Sequence, residues 1–589
     1  MSYRFFGTIY MYLDVLLIHP PAVPKILGRP YFPGPVSQVS IHTTSQYIQV
    51  SQGILSIADF LDRNGFKVLI DNVGERIAFN PYFDVRRHIK QNPANVYAIE
   101  LHWYNHIPGA VEMAKICKEE YPNSLVVLGG LTATIFYREI LEELRFVDAV
   151  IRGEAEKAFL DFLKSYENKN RITPTPNIAF RDGDRIVEAP MIKQSNSLDE
   201  FSFSRIDLLE PKMSIFTLGI SPHYSFSFCR GCIFNCVTCG GAAYTYRKYF
   251  NMPRLSFMSP EKVVEELRLF VEKGVRNIGL LQDIRMAGRK YWEKLFSLLR
   301  KEDLDFDRLT MDLFTPANEE YIRAIASTGK IVTLNISPES GSEKVRSVHG
   351  RNYTNKALIE MIKKCHENRI PVTVFFMIGL AEESYETINE TWALIDKLAQ
   401  LDAEALSRGI FKDIEQHVPV AGPIIGHMIL LDPGSLAYDK PGKYGYRVLF
   451  KGFRNYLEAL LMPHWSQRIN YETKYLSRNL IIELIYESIK QIINVRARYR
   501  LFSPQEIFTQ LLELNVDKIL SVEIEKISAL KNEFEKWDRL TTLKYVIDIS
   551  TSQSNPVNDP YGYYNLILHT LQETEKHFHE HHYKYYSSY

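Results

Sequence analysis

Twice along its length the chain repeats one pattern, a short run of β-branched and aliphatic residues followed by a longer amphipathic stretch. In the first series the apolar runs are DVLLI (14–18), KVLIDN (67–72), VYAIEL (96–101), SLVVLGG (124–130) and DAVIRGE (148–154). Between them lie helical stretches such as GILSIADFLDRNG (53–65), closed by Gly65, and GAVEMAKICKEEYP (109–122), ended by Pro122. Continuous apolar strands must be covered on both faces, which requires a parallel sheet flanked by helices. Residues 11–165 are therefore expected to form a doubly wound, Rossmann-like α/β domain, with ligands at the carboxyl ends of its strands.

Residues 166–214 break the alternation. ENKNRITPTPN and QSNSLDEFSFS are polar and irregular, so the segment reads as a linker with one hairpin at IAFRDGDRIVEAP, turning at Asp-Gly-Asp. Over residues 215–440 the pattern resumes with SFSF, NIGLLQD, RLTMDLF, IVTLNISPE, VTVFFMIG and HMILLD. SPEKVVEELRLFVEKG (259–274) has Ser259 as N-cap, Pro260 at the first helical position and Gly274 at the end. These six strands with crossover helices make a partial (β/α)6, TIM-like barrel, whose chemistry belongs at the carboxyl ends of its strands. Residues 441–589 carry long helical patterns such as NLIIELIYESIKQIINVRARYR and are expected to form a helical domain.

Bulk properties exclude some partners. Seventy basic and seventy acidic residues cancel, so no nucleic-acid partner and no anionic membrane surface is expected. The apolar patch in MSYRFFGTIYMYLDVLLIHPP is interrupted by Arg4 and Asp14 and lacks a cleavage site of small residues. It reads as the approach to a first strand, and translation from Met11 would fit, since residues 1–10 match no periodic element. No apolar run is long enough to span a bilayer, and a cytoplasmic protein is expected.

Four of the six cysteines, Cys229, Cys232, Cys236 and Cys239, fall within SFCRGCIFNCVTCGG (227–241). Cys117 and Cys365 lie in apolar helical stretches and read as small buried hydrophobes. So few cysteines cannot make a disulfide scaffold, and a thiol cluster of this kind suits metal binding in a reducing cytosol. A structural zinc site draws its ligands from two separated knuckles, whereas these thiols share one loop. A thioredoxin-type pair would leave two thiols superfluous.

The spacing Cys232-x3-Cys236-x2-Cys239, after the first barrel strand and opening on the cysteine of RGC, resembles the signature of the radical S-adenosylmethionine (radical SAM) enzymes. The resemblance implies a [4Fe–4S] cluster held by those three thiolates, with the fourth iron open to chelate S-adenosylmethionine. It also implies reductive cleavage to a 5′-deoxyadenosyl radical and an external one-electron reductant such as ferredoxin or flavodoxin. Cys229 reads as an accessory thiol. Thr238 stands where the family usually has an aromatic residue near the adenine. Further segments resemble the family's S-adenosylmethionine contacts: Gln282 and Asp283 in LLQDIRM, Glu339, Ser340 and Arg351 in SPESGSEKVRSVHGRNYT, and Gly379 and Glu383 in FFMIGLAEES. LLDPGS (430–435) matches the Pro-Gly step that ends the sixth strand.

The first domain, placed ahead of such a barrel, resembles the cobalamin-binding domain of the B12-dependent radical SAM enzymes. LLIHPPA (16–22), GILSIADFLDRNGFKV (53–68), LGGLTAT (128–134) and AVIRGEAEKAF (149–159) carry the resemblance. It implies cobalamin against Pro20, Gly129, Gly130 and Gly153, with Glu154 hydrogen-bonding an amide or hydroxyl. Asp-x-His-x-x-Gly is absent, so cobalamin without a lower axial histidine is expected; His102 in ELHWYNH is the alternative ligand.

The expected activity is cobalamin-dependent methylation of an unactivated carbon on a small-molecule, lipid or peptide substrate. The alternatives are radical ring closure, carbon–carbon coupling or rearrangement on a lipid or tetrapyrrole, and, outside enzymes, a cobalamin or iron–sulfur sensor. No second cysteine triplet precedes the barrel, which argues against methylthiotransfer. His577, His579, His581 and His582 read as a polar terminus.

Overall fold

The computed structural model describes residues 12–22, 29–32, 48–80, 82–193, 195–217, 223–412 and 423–553. Met11 and the tail histidines lie outside them. In the first domain β1 (Leu13–His19), β2 (Val68–Asn72), β3 (Ala94–Glu100), β4 (Leu125–Gly129) and β5 (Ala149–Ile151) follow the five apolar runs. They pair in parallel in the order β5-β4-β3-β1-β2, the doubly wound arrangement in which strand order reverses between β1 and β3. Helices Gln52–Arg63, Ile107–Glu120 and Glu156–Lys169 cover the sheet, burying Leu55, Ala110 and Phe159 against it.

Residues 166–214 are more than a linker. The hairpin forms as β6 (Ile178–Asp182) and β7 (Arg185–Glu188), and β6 pairs antiparallel with β5. A further short strand, β8 (Leu209–Glu210), pairs with β2 at the opposite edge. The segment therefore caps both edges of the first sheet and joins its core through Leu198, Phe201 and Phe203. Capping both edges also protects strands that would otherwise offer unpaired backbone groups.

The second sheet runs through β9 (His223–Ser227), β12 (Asn277–Leu281), β13 (Arg308–Leu313), β14 (Ile331–Glu339), β15 (Val372–Ile378) and β16 (Pro423–His427), all parallel and in chain order. A two-stranded ladder of β10 (Cys229–Arg230) and β11 (Ser256–Phe257) sits between β9 and β12 in the chain. Helix Pro260–Glu272 starts as expected: the Ser259 hydroxyl accepts the Lys262 amide at 3.2 Å, and Gly274 takes φ +90° beyond its end.

The sixth strand is not HMILLD but the segment just before it. Beyond His427 the backbone is taken over by the C-terminal region: Tyr471 donates to the Met428 carbonyl at 2.8 Å, and the Leu431 amide donates to Asn470 at 3.0 Å. Apolar character alone could not reveal that competition.

The remaining chain is helical, with Phe453–Leu460, Arg478–Arg498, Pro504–Ser528 and Glu533–Gln553, plus a hairpin of β17 (Tyr446–Val448) and β18 (Tyr471–Thr473). Helix Arg478–Arg498 packs on β15, β16 and helix Tyr385–Ser407, where Trp392 donates to Ser488 at 3.0 Å. The last two helices share a separate small core of Leu512, Val516, Leu520, Leu540 and Leu543. Among the described residues, no helix is long and apolar enough to cross a membrane.

Candidate active site

The four-cysteine segment splits between two roles. Cys229 belongs to the β10–β11 ladder opposite Phe257, is buried, and donates its thiol hydrogen to the Gln282 side-chain carbonyl. Burial keeps it protonated by pushing its pKa well above the ordinary thiol range. Gly231 then turns the chain at φ +97°, and the loop that follows carries the other three thiols toward solvent.

Within that loop the Phe234 amide donates to Cys232 Sγ at 3.4 Å and the Gly241 amide to Cys239 Sγ at 3.3 Å. The loop is held from outside by three bonds. Val237 donates to the His349 carbonyl at 3.4 Å, Ala437 donates to the Val237 carbonyl at 2.9 Å, and Gly240 donates to Asp432 at 2.9 Å. LLDPGS thus meets the cluster loop even though it lies outside the sheet. Burial pushes the Cys232 and Cys236 thiols up, while the Arg351 guanidinium pulls both down. Arg351 in turn donates to Glu339 at 3.0 Å. Thr238 is partly exposed on the same loop.

The barrel's strand ends are strained where they approach this loop. Gln282 follows β12 at φ +75° and Glu339 ends β14 at φ +68°, beside a register shift between Ile336 and Glu339. Side-chain-bearing residues seldom adopt that region, and such strain concentrates at functional sites. Gln282 stitches the site together, accepting from Ser227 Oγ at 2.9 Å and donating to the Gly231 carbonyl at 3.4 Å. Asp312 and Asn335, not singled out from sequence, join it: the Gln282 amide and Asn335 each reach Asp312 at 3.1 Å. Burial pushes the Asp312 carboxyl up against those two bonds. The signal was present in the alternation of RLTMDL, where Leu309, Met311 and Leu313 are buried and Arg308, Thr310 and Asp312 are partly exposed on the opposite face of the strand.

Four of the residues expected to contact S-adenosylmethionine make bonds or close contacts within the protein. Arg285 and the Phe314 amide fill both oxygens of Asp283, with Arg285 Nη2 at 2.6 Å and the Phe314 amide at 2.9 Å. The Ser340 hydroxyl is fully buried toward helix Tyr385–Ser407, 3.3 Å from the Thr391 hydroxyl. A Cβ on Gly379 would lie 2.0 Å from the Tyr471 hydroxyl, so that glycine admits a tyrosine. Glu383 caps its own loop, accepting the Gly379 and Leu380 amides, each at 2.9 Å.

Burial pushes the Glu383 carboxyl up to about 8, against those two hydrogen bonds. The folded protein therefore retains a proton there that the unfolded chain has lost above its own carboxyl pKa, so this site's contribution to stability falls as pH rises toward 8. Urea midpoints followed from pH 5 to pH 9 should decline more steeply for the native chain than for Glu383→Gln. Parallel declines would remove Glu383 as the cause.

In the first domain, polar groups gather at the carboxyl ends of β1 and β3. His19 Nδ1 lies 2.7 Å from Glu100, and its ring stands edge-on to His106 at 4.8 Å. Burial opposes ionisation of Glu100, yet His19, His102 and Ser51 together hold its carboxyl at about 2. His102 follows, edge-on to the exposed Trp103 at 4.6 Å, and burial lowers its pKa despite the pull of Glu100. His19 and Glu100 were legible as polar residues closing apolar strands at the ligand end of the sheet.

Pro20 and Pro21 pass close to two helix starts, where a Cβ on Gly74 would lie 3.3 Å from the Pro20 carbonyl. Gly129 is open, since a Cβ there would meet only Ile151 at 3.8 Å. Gly153, two residues beyond β5, takes φ +73°, and a Cβ there would lie 3.3 Å from Met191 Sδ. Glu154 accepts from the Ser195 amide at 3.1 Å and lies 3.6 Å from Arg230, inside the joint between domains.

Comparison with known proteins agrees with this division. Residues 226–395 match the model of the radical SAM superfamily, and residues 40–163 match that of the B12 binding domain. The anaerobic magnesium-protoporphyrin IX monomethyl ester cyclase of Cereibacter sphaeroides is 28% identical over 297 residues, which is 48% of this chain and 46% of that protein. The hopanoid C-3 methylase of Methylococcus capsulatus is 25% identical over 224 residues, 38% of this chain and 41% of that protein. The chain thus spans less than half the length of either relative. The solved structure of the cobalamin-dependent S-adenosylmethionine radical enzyme OxsB, with aqua-cobalamin and S-adenosylmethionine bound, shares the fold. Its TM-score is 0.55 at 11% identity, over 97% of this chain and 81% of that one.

The residues present fit these cofactors. Cys232, Cys236 and Cys239 form no disulfide, and backbone amides already point at two of the sulfurs, as thiolate ligands of an iron–sulfur cluster require. Glu339, Arg351 and Asp312 offer charged groups at the barrel mouth beside it, and the open strand end at Gly129 leaves room at the first sheet. Residues 226–395 thus form a radical SAM domain and residues 40–163 a B12-binding domain, and the cofactors these domains bring are a [4Fe–4S] cluster, S-adenosylmethionine and cobalamin.

Proposed function

We propose that this enzyme methylates an unactivated carbon of its substrate. The observation that carries the reading is the meeting of the two sheets' carboxyl ends at the cluster loop. Arg230, two positions before Cys232, reaches Glu156 of the first domain at 3.0 Å, and its charge is felt at His102. When bound, the cluster with S-adenosylmethionine supplies a carbon-centred radical, and cobalamin supplies a methyl group.

The chain's own contribution is placement. Cys232, Cys236 and Cys239 would hold the cluster, with the Phe234 and Gly241 amides stabilising sulfur charge. Glu339 and Arg351 pair at the strained end of β14, where the polar groups of S-adenosylmethionine would be oriented. Burial lowers the pKa of His102 near the expected corrin site, and Trp103 stands edge-on beside it. A methylase among the relatives supports the reading. Ring closure is the second reading, favoured by the cyclase that matches over 297 residues.

Anaerobic reconstitution with iron, sulfide and hydroxocobalamin, followed by mass spectrometry of small molecules and lipids with and without the enzyme, separates the readings. A product gaining one methyl group is expected. A product that instead loses two hydrogens with no added carbon would favour ring closure, and absence of S-adenosylmethionine cleavage would leave a sensor.

A further inference from the structure

Arg230 lies inside the cysteine segment, yet its side chain works in the other domain. Its backbone is fixed opposite Ser256 in the β10–β11 ladder, and Gly231 and Cys232 follow directly. The guanidinium leaves the barrel and forks onto Glu156, with Nη1 at 3.0 Å from Oε2 and Nη2 on Oε1. Ser56 Oγ, 2.5 Å from Glu156, also lies 3.4 Å from Arg230 Nη2, and Glu154 stands 3.6 Å from Nη1. The guanidinium also lies over the rings of Phe201 and Phe203, at 5.5 and 6.0 Å. The side chains of Arg230 and Glu156 are only 15% and 2% exposed. One residue of the cluster loop is thereby tied to helix Gln52–Arg63, to the first turn of helix Glu156–Lys169 and to the segment that follows β7.

We propose that Arg230 is a positioning residue: its buried fork on Glu156 fixes the cluster loop against the B12-binding domain and so sets where the iron centre stands relative to cobalamin. Net stability is a poor reason for such a pair, because apolar side chains of similar volume commonly serve as well. A planar fork on a carboxylate supplies something different, a fixed distance and orientation that a lysine's point charge does not. Only Gly231 separates this anchor from Cys232, so a change in the anchor reaches the cluster with little slack. Of the other tethers between domains, the Ser227 amide on Gln52 and Tyr224 on the Val50 carbonyl at 3.3 Å hold β9, while the Leu198 amide on the Phe257 carbonyl at 3.0 Å and the Ser256 hydroxyl on the Ser195 carbonyl at 3.1 Å hold β11; Arg230 is the tether that stands beside Gly231 and Cys232.

Three variants test this, Arg230→Met, Glu156→Gln and the double variant, with Arg230→Lys as the charge-conserving control. In protein free of cluster and cobalamin, hydrogen exchange of the cluster loop and the first turns of helix Glu156–Lys169 should rise together by about a hundredfold in each single variant, as loss of one partner from a buried pair implies. Exchange in β12–β15 should not change. In loaded protein, dipolar coupling between cob(II)alamin and the reduced cluster should broaden in both single variants, with iron and cobalamin contents retained. The double variant should be no worse than the more affected single variant, and Arg230→Lys should fall between it and the native chain.

Additive effects in the double variant, exchange that rises on one side only, or native-like coupling in both singles would overturn the proposal. So would native-like coupling in Arg230→Lys, since charge alone would then suffice. A variant that fails to take up cluster is still read by its exchange pattern in the unloaded protein.

Discussion

Replacing Cys232, Cys236 or Cys239 by alanine should abolish both the visible absorption of the reconstituted cluster and reductive cleavage of S-adenosylmethionine, whereas Cys229→Ala should retain both. Each of the three loop thiols is out of any disulfide, and none has a neighbour able to replace it: the fourth thiol is turned into the β10–β11 ladder and buried. Cys229 donates to the Gln282 carbonyl, and Ser227 Oγ, whose single hydrogen is shared with the Cys229 carbonyl at 2.7 Å, lies 2.9 Å from the same oxygen, so a second donor stands within reach in the alanine variant. Its cost should be limited to one weak hydrogen bond and a small cavity, about 1–2 kcal/mol of stability. Iron content, absorption and deoxyadenosine yield for all four variants decide the matter. Loss of iron in Cys229→Ala equal to that in the other three would reassign the ligand set.

The cysteine loop was readable because its residues act through their spacing along one stretch of chain. The strands were readable for a related reason: apolar runs such as LVVLG and VTVFFMI are buried on both faces wherever helices cover them. Residues whose partners come from far away were not. Gly379 is shaped by Tyr471 and Ser340 by Thr391, contacts that no local pattern announces. Asp283 is the reverse case, since its bond to the Arg285 amide at 3.0 Å is a local cap that the sequence displays. Arg230 shows the same limit from the other side. RGC marked the loop, but the carboxylate that receives the arginine lies 74 positions earlier.

The same distinction between fold and ligand governs the two glycines that end β4. Gly130→Val should unfold the first domain rather than merely obstruct cobalamin. Gly130 adopts φ +114° and ψ −177°, a conformation essentially restricted to glycine. A Cβ there would stand 2.8 Å from His102 N and Cα, backbone atoms that cannot swing aside. The loops after β3 and β4 are clasped at that point: Leu101 donates to the Gly129 carbonyl at 2.7 Å and Ala133 to the Leu101 carbonyl at 3.1 Å. Strain and overlap together should cost about 3 kcal/mol or more, and cobalamin would be lost with the fold. Gly129 has no such constraint, its nearest neighbour being Ile151 at 3.8 Å. A β-branched residue there continues the strand while filling space at the ligand end of the sheet. Gly129→Val should therefore keep native circular dichroism and urea stability while weakening cobalamin binding by on the order of tenfold or more, the equivalent of about 1.4 kcal/mol. Denaturation midpoints and spectrophotometric titration with hydroxocobalamin separate the two variants. A stable, folded Gly130→Val would refute the steric account, and unaltered affinity in Gly129→Val would move the corrin away from the end of β4.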